Sequence, residues 1–244
     1  MNLVIDIGNT RTKYSVCTKN EVVKTVSVDT FSPSLIGTLK QEYEGLDRAI
    51  LSSVKDYPDE LKVALAEQFK LFIELDATTP LPVENCYESK ETLGKDRIAA
   101  IVGAFELYPE TNVLVIDAGT AITYDLLTAE GKYLGGNISP GLEMRFKALN
   151  QFTGKLPKVE KGVIKELIGK TTEQAIRAGV QHGMVFEVDH AITSFKENYN
   201  NLKVIMTGGD AEFFDNKLKN SFFVTFNLTS IGLNRILQHN GETK

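Results

Sequence analysis

The sequence predicts an α/β protein assembled from two copies of one half. Three observations carry that expectation: an internal echo, the alternation of β-branched runs with helical stretches, and a composition that can fill a core. The echo matches Leu3-Val4-Ile5-Asp6-Ile7-Gly8-Asn9-Thr10 with Leu114-Val115-Ile116-Asp117-Ala118-Gly119-Thr120-Ala121, an offset of 111 residues, and Thr12 aligns with Thr123 in the same register. Each copy opens on a short run of buried-strand type, followed by a carboxylate and a glycine turn. The shared context after the first four positions favours duplication over chance. The halves are expected over 1–110 and 111–244. The 244 residues are 42% apolar and 24% charged, which is the balance of a folded chain rather than a disordered or fibrous one.

In the first half, strands are expected at Leu3 to Ile7, Thr12 to Thr18 and Glu21 to Val28, the last reached through the turn Lys19-Asn20. Ser34 to Tyr43 and Glu60 to Phe69 are helical in pattern, while Arg48 to Ser53 and Leu71 to Leu75 are strands. Asp76 to Leu93 contains Pro80 and Pro82 and leads into Gly94, so it reads as a loop-rich connection. Connections of that length inside a domain are more often functional than filler. Asp96 to Leu107 is helical and stops before Pro109. In the second half, Ala121 to Thr128 and Lys132 to Ile138 repeat the second and third strands across the turn Glu130-Gly131. Leu142 to Asn150, Thr172 to Tyr199 and Ser230 to His239 are expected helices, Val204 to Met206 is a strand, and Gly241 to Lys244 is expected to fray.

Lys plus Arg number 27 against 32 for Asp plus Glu, a net charge of −5 without a basic block. That balance argues against a nucleic-acid or anionic-membrane binder. No apolar run reaches the roughly 18 residues of a membrane span. The opening MNLVIDIGNT lacks the basic head, long apolar stretch and cleavage site of a signal peptide, so a cytoplasmic location is expected. Cys17 and Cys86 suit two reduced thiols. His182 and His190 share a helical stretch without a third metal ligand, the charges from Lys155 to Lys170 read as a solvated face, and Phe213-Phe214 and Phe222-Phe223 read as core or interface.

The chemistry-bearing residues cluster in four places. Asp6-Ile7-Gly8-Asn9-Thr10 puts a carboxylate at a strand end beside a glycine, whose backbone admits a phosphate closely, with Asn9, Thr10 and Lys13 as further contacts. Asp6 suits Mg²⁺ through oxygen or water ligands. Taken alone the motif is also good hairpin-turn chemistry. Its repetition as Asp117-Ala118-Gly119-Thr120 favours a pair of phosphate turns. Thr207-Gly208-Gly209-Asp210 follows a buried strand; by itself it is a loop with Asp210 as helix cap, but third in this order it fits the adenosine end of a nucleotide site. Gly94-Lys95-Asp96-Arg97 pairs a carboxylate base with a forked cation suited to an anionic substrate. The plainer reading of Asp96 is an acidic first turn of a helix. Phosphoryl transfer needs mainly positioning and charge neutralisation, which two Asp-Gly turns, a cation and an oriented hydroxyl supply.

The order of these motifs resembles the phosphate 1, phosphate 2 and adenosine signatures of the acetate and sugar kinase, Hsp70 and actin superfamily. With Tyr87 seven residues before Gly94, and with Gly135-Gly136-Asn137-Ile138-Ser139-Pro140-Gly141, Leu156-Pro157 and Thr172 to Gly179, the chain is similar to type III pantothenate kinases from Asp6 to about Leu237. The resemblance implies two duplicated ribonuclease H-like halves of the actin-like ATPase fold with a cleft between them. It implies transfer of a phosphoryl group from ATP, with Mg²⁺, to the primary hydroxyl of pantothenate, the first step towards coenzyme A. Asp6, Gly8, Asn9, Thr10 and Lys13 would bind ATP together with Gly119, Thr120, Gly208 and Gly209. Asp96 would be the general base, and Tyr87, Gly94, Lys95, Arg97 and Thr172 would line the pantothenate site, Thr172 from across a homodimer interface. Asp117 would hold a monovalent cation, K⁺ or NH₄⁺.

Two rivals remain open at this level. One is a regulatory protein that keeps the scaffold without catalysis, against which the joint presence of Asp6, Asp96 and Asp117 argues. The other is a kinase for a different small acid or sugar, since the fold alone does not specify the acceptor.

Overall fold

The computed structural model describes residues 1–164 and 166–242. β1 (Asn2–Ile7), β2 (Thr12–Cys17) and β3 (Val22–Val28) run as an antiparallel meander. α1 (Pro33–Glu42) starts on a proline whose fixed φ suits the first helical turn. It leads to β4 (Arg48–Ser53), α2 (Asp59–Gln68) and β5 (Leu71–Glu74), and the sheet order is β3-β2-β1-β4-β5 with β1, β4 and β5 parallel. Leu3, Ile5 and Ile7 enter one core with Ile36 and Leu39 of α1 and Leu61 and Leu65 of α2. The intervening Val4 is buried as well, because both faces of this sheet are covered, and so β1 reads as an unbroken apolar run. Each such side chain contributes about 1.5–3 kcal/mol on full burial.

The connection expected as loop carries a two-residue strand, β6 (Glu84–Asn85), and one 3₁₀ turn over Lys90–Thr92. α3 (Lys95–Leu107) follows, then β7 (Val113–Ala118), β8 (Ala121–Leu127), β9 (Lys132–Pro140), α4 (Leu142–Gln151) and α5 (Thr172–Asn198). β10 (Lys203–Thr207), β11 (Phe223–Val224) and α6 (Leu228–Glu242) complete the chain. The second sheet has the order β11-β10-β7-β8-β9-β6, with β7, β10 and β11 parallel. Without β6 this is the first sheet's order repeated, β7 standing for β1, so the sequence echo is a structural repeat. Leu114, Ile116 and Ala118 of β7 lead a separate core with Phe146 of α4 and Met184, Val188 and Ile192 of α5.

The chain divides into two compact units. The first comprises Met1–Glu110, Leu127–Gly135 and everything from Asn227 onward; the second comprises Thr111–Leu126 and Gly136–Phe226. Relative to halves at 1–110 and 111–244, the chain crosses back twice, at the tip joining β8 to β9 and again with α6. α6 packs on α3, β1, β2 and β4, and that packing places it in the first unit. Gly241 and Glu242 extend α6 instead of fraying, because Gly241 is packed against Arg48 and Leu71. Thr243 and Lys244 of the expected tail, and Lys165 of the expected solvated face, lie outside the described residues. No helix among the described residues is long and apolar enough to cross a membrane.

Candidate active site

In the first unit, β1 carries Asp6 to the strand's carboxyl end, and the chain reverses through Gly8-Asn9-Thr10-Arg11. The Gly8 N–H donates to the Arg11 carbonyl at 3.0 Å, and a Cβ on Gly8 would lie 3.1 Å from that same oxygen. Asn9 and Thr10 stand exposed at the tip. Register sets Lys13 of β2 opposite Asp6 on one side and Ser52 of β4 opposite it on the other. Oδ1 of Asp6 and Oγ of Ser52 are both buried without a hydrogen-bond partner. Burial raises the Asp6 carboxyl to about 6, and the negative charge of Asp96 adds to the rise; Lys13 offsets part of it. An orphaned, half-buried carboxylate of this kind fits a hard divalent cation or its water shell.

Asp96 sits in the first turn of α3, where an acidic side chain is favoured by the helix dipole. Its carboxylate accepts the Arg97 backbone N–H at 2.9 Å. A Cβ on Gly94 would stand 2.5 Å from Asp96 Oδ1, so the glycine keeps that carboxylate's space open. Arg97 is 5% exposed, and its guanidinium lies 5.4 Å from the centre of the Tyr87 ring. Tyr133 also stacks on Tyr87, at 6.2 Å and 5°. Gly135 supports the same ring: its φ is +102°, and a Cβ there would lie 3.1 Å from Tyr87 Cδ2. Lys95 extends its charge towards Glu74 instead, helping to lower that carboxyl's pKa after the larger effects of burial, which opposes the shift, and of Lys62 and Tyr57.

In the second unit, β7 repeats the device. Asp117 is the penultimate residue of the strand, and the Gly119 N–H donates to the Ala121 carbonyl at 3.0 Å. Gly208, at φ +94°, rests against this turn: a Cβ would fall 2.4 Å from Asp117 Oδ1 and 2.3 Å from the Ala118 carbonyl oxygen. Those two oxygens therefore face one corner that any side chain at 208 would fill, and an all-oxygen corner suits a hard cation. The Asp210 N–H donates to the Ala118 carbonyl at 2.8 Å, tying the Gly-Gly loop to the turn. Thr172 is exposed in the first turn of α5, where Thr171 is the cap and accepts the Gln174 N–H at 3.2 Å.

The fold thus brings Asp6, Lys13 and Asp96 together in one unit, with Tyr87 beside Arg97, and it brings Asp117, Gly119, Gly208 and Gly209 together in the other. Ser52, Tyr133 and Gly135 were not singled out from the sequence as site residues. For Ser52 the available signal was the serine pair that ends an otherwise apolar strand, but its partner follows only from the parallel pairing of β4 with β1. Among the described residues no group of three or more His, Cys, Asp or Glu could hold a metal, and His182 stacks on Phe186 at 6.0 Å.

The repeated sheets give the actin-like ATPase fold, which sugar kinases share. The glucokinase of an Antarctic psychrotroph superposes with a TM-score of 0.56 at 13% identity, covering 98% of each chain. A Campylobacter jejuni chain assigned to a Baf family of transcriptional activators superposes at 0.59 with 24% identity, over 98% of this chain and 99% of that one. At such identities the likeness is one of fold. Sequence is more specific: the model of the type III pantothenate kinase family matches residues 2–194. The type III pantothenate kinase of Phocaeicola vulgatus is 47% identical over 242 residues, 99% of this chain and 100% of that one. The chain belongs to the type III pantothenate kinase family.

Proposed function

We propose that this protein transfers the γ-phosphoryl group of ATP to the primary hydroxyl of pantothenate, the entry reaction of coenzyme A synthesis. The observation that carries the reading is the placement of Asp96, at the head of α3 and close enough to Asp6 to raise its pKa. One carboxylate then serves the acceptor while the other serves the nucleotide. Asp96 accepts the hydroxyl proton as the oxygen–phosphorus bond forms and ADP departs with the electron pair of the broken bond. Proton transfer late in a loose transition state does not require a strongly basic carboxylate. Arg97, buried against the Tyr87 ring, would present a fork to the pantothenate carboxylate, with Gly94 beside it, while Lys95, whose charge reaches towards Glu74, would serve that pocket only from its rim.

On the nucleotide side, Gly8, Asn9, Thr10 and Lys13 would hold phosphate oxygens, and Asp6 would hold Mg²⁺, which neutralises phosphate charge when bound. In the second unit, Gly119 and Thr120 would contact phosphate, and Gly208 and Gly209 would leave adenosine a flat backbone surface. Asp117 and the Ala118 carbonyl would hold K⁺ or NH₄⁺ in the corner beside Gly208. The protein would work as a homodimer, Thr172 of each subunit serving the partner's site. The cytoplasm suits ATP chemistry and the free thiols Cys17 and Cys86.

A coupled ADP-release assay tests this reading against pantothenate, a sugar panel, small hydroxy acids and no acceptor, in K⁺, in NH₄⁺ and in a bulky organic cation. Release is expected only with pantothenate and a small monovalent cation, and Asp96→Asn should lower turnover at least ~10²-fold while both substrates still bind. Release with a sugar instead, or no release with any acceptor, would overturn it, and near-normal turnover in Asp96→Asn would remove Asp96 from the role of base.

A further inference from the structure

Arg145 stands out in the second unit because its position conflicts with the helix that carries it. It lies in the first turns of α4, where the partial positive charge of the helix end disfavours a cation. The side chain folds back over that end. Its Nε donates to the Pro140 carbonyl at 2.7 Å, and its Nη2 donates to Ser139 Oγ at 2.8 Å and to Glu187 Oε2 at 2.6 Å. Glu187, on α5, also accepts the Tyr124 hydroxyl at 3.1 Å through Oε1. This carboxyl is held below its ordinary range: burial opposes the shift, and Arg145, Ser139 and Tyr124 together outweigh it.

The segment so clamped is the one that meets the second phosphate turn. The Gly141 N–H donates to the Thr120 carbonyl at 3.1 Å. A Cβ on Gly141 would stand 2.1 Å from the Gly119 carbonyl oxygen and 2.5 Å from that of Thr120, so backbone lies directly on backbone. Any shift of Pro140 and Gly141 is therefore passed to Gly119 and Thr120. We propose that Arg145, anchored by Glu187, is a positioning residue that sets the second phosphate turn for the nucleotide by locking Ser139-Pro140-Gly141 against it. The proposal rests on the kinase reading for its kinetic consequence but not for its structural one. Guanidinium is the suitable group, because one planar fork reaches a carbonyl, a hydroxyl and a carboxylate together and an ammonium does not.

The experiment compares the wild type with Arg145→Ala, Arg145→Lys, Glu187→Gln and the Arg145→Ala/Glu187→Gln pair. Amide hydrogen exchange at Gly119, Thr120, Ala121 and Gly141 is read in the nucleotide-free protein, and KM for ATP and for pantothenate is read from ADP release. In Arg145→Ala those amides should exchange faster while β10 stays protected, and KM for ATP should rise about tenfold with KM for pantothenate within twofold. Arg145→Lys, which keeps the charge and is the safer variant for folding, should recover only part of the loss. The double variant should be little worse than either single one. Unchanged exchange at the turn, parallel rises in both KM values, or full recovery by lysine would overturn the proposal. If wild type released no ADP with pantothenate, the kinase reading would fall while the exchange comparison still decided the role of Arg145.

Discussion

Asp6 shows a single side chain carrying opposite demands. Its carboxyl is raised from 3.8 to about 6 by burial and by the Asp96 charge, so the folded protein without nucleotide binds a proton more readily there than the unfolded chain does. Stability from this group is accordingly full below pH ~4 and is lost as pH rises through about 6, a cost of about 3 kcal/mol at neutral pH. Asp6→Asn should therefore raise the Tm of the nucleotide-free protein at pH 7–8, and the gain should vanish near pH 4. Thermal unfolding of both proteins across that range checks the sign; a gain independent of pH would remove the electrostatic origin. With Asp6 holding Mg²⁺ as proposed, the same variant should also weaken nucleotide binding, which would make the strain a cost of function. Asp6, Asp96 and Asp117 were legible in the sequence because a carboxylate two residues before a glycine, or next to an arginine, at an element's end is a local pattern. Ser52 and Tyr133 were not, since what they touch comes from residues 46 positions away in each case.

At the scale of elements, the contact of α3 with α6 turns on two glycines. A Cβ at Gly232 would lie 1.7 Å from the Ala99 carbonyl oxygen, and one at Gly103 would lie 2.3 Å from the Leu228 carbonyl oxygen. The helices meet backbone to backbone, which leaves no room for even a methyl group. Gly232→Ala should cost at least 2–3 kcal/mol, about the upper end for an overpacked core. Gly37, in α1, has nothing within 4 Å of a Cβ, and Gly37→Ala should be neutral or gain up to about 1 kcal/mol from helix propensity. Denaturant unfolding of the two variants separates packing from propensity: equal effects would defeat the argument. The elements themselves were largely visible beforehand. β1 and β7 announced themselves as apolar runs leading into Asp, and α5 as a long stretch free of proline and of turn clusters. β6 and β11 were missed because two residues cannot show a period; they are strands only through the ladders with β9 and β10.

The whole chain is a duplication whose last helix serves the first copy. α6 closes the sheet face that β1, β2 and β4 would otherwise expose, and Ser230 Oγ and Asn234 Oδ1 meet Ser15 Oγ and Asn2 Nδ2 at 2.9 and 2.7 Å. Deleting residues from 227 onward should leave the first unit without a cooperative unfolding transition while the α5 core of the second unit keeps its exchange protection. A truncated chain that unfolds like the full protein would show that α6 is dispensable.

By itself the order of residues determined the strand and helix types, the duplication and the set of carboxylates, because hydrophobic period and turn chemistry act over a few neighbouring positions. Only the tertiary structure decided which partners those groups have. Ser52 beside Asp6, Tyr133 under Tyr87, Arg145 over Pro140 and α6 against α3 are meetings of distant segments, and such meetings are set by the packing of whole faces rather than by any local signal.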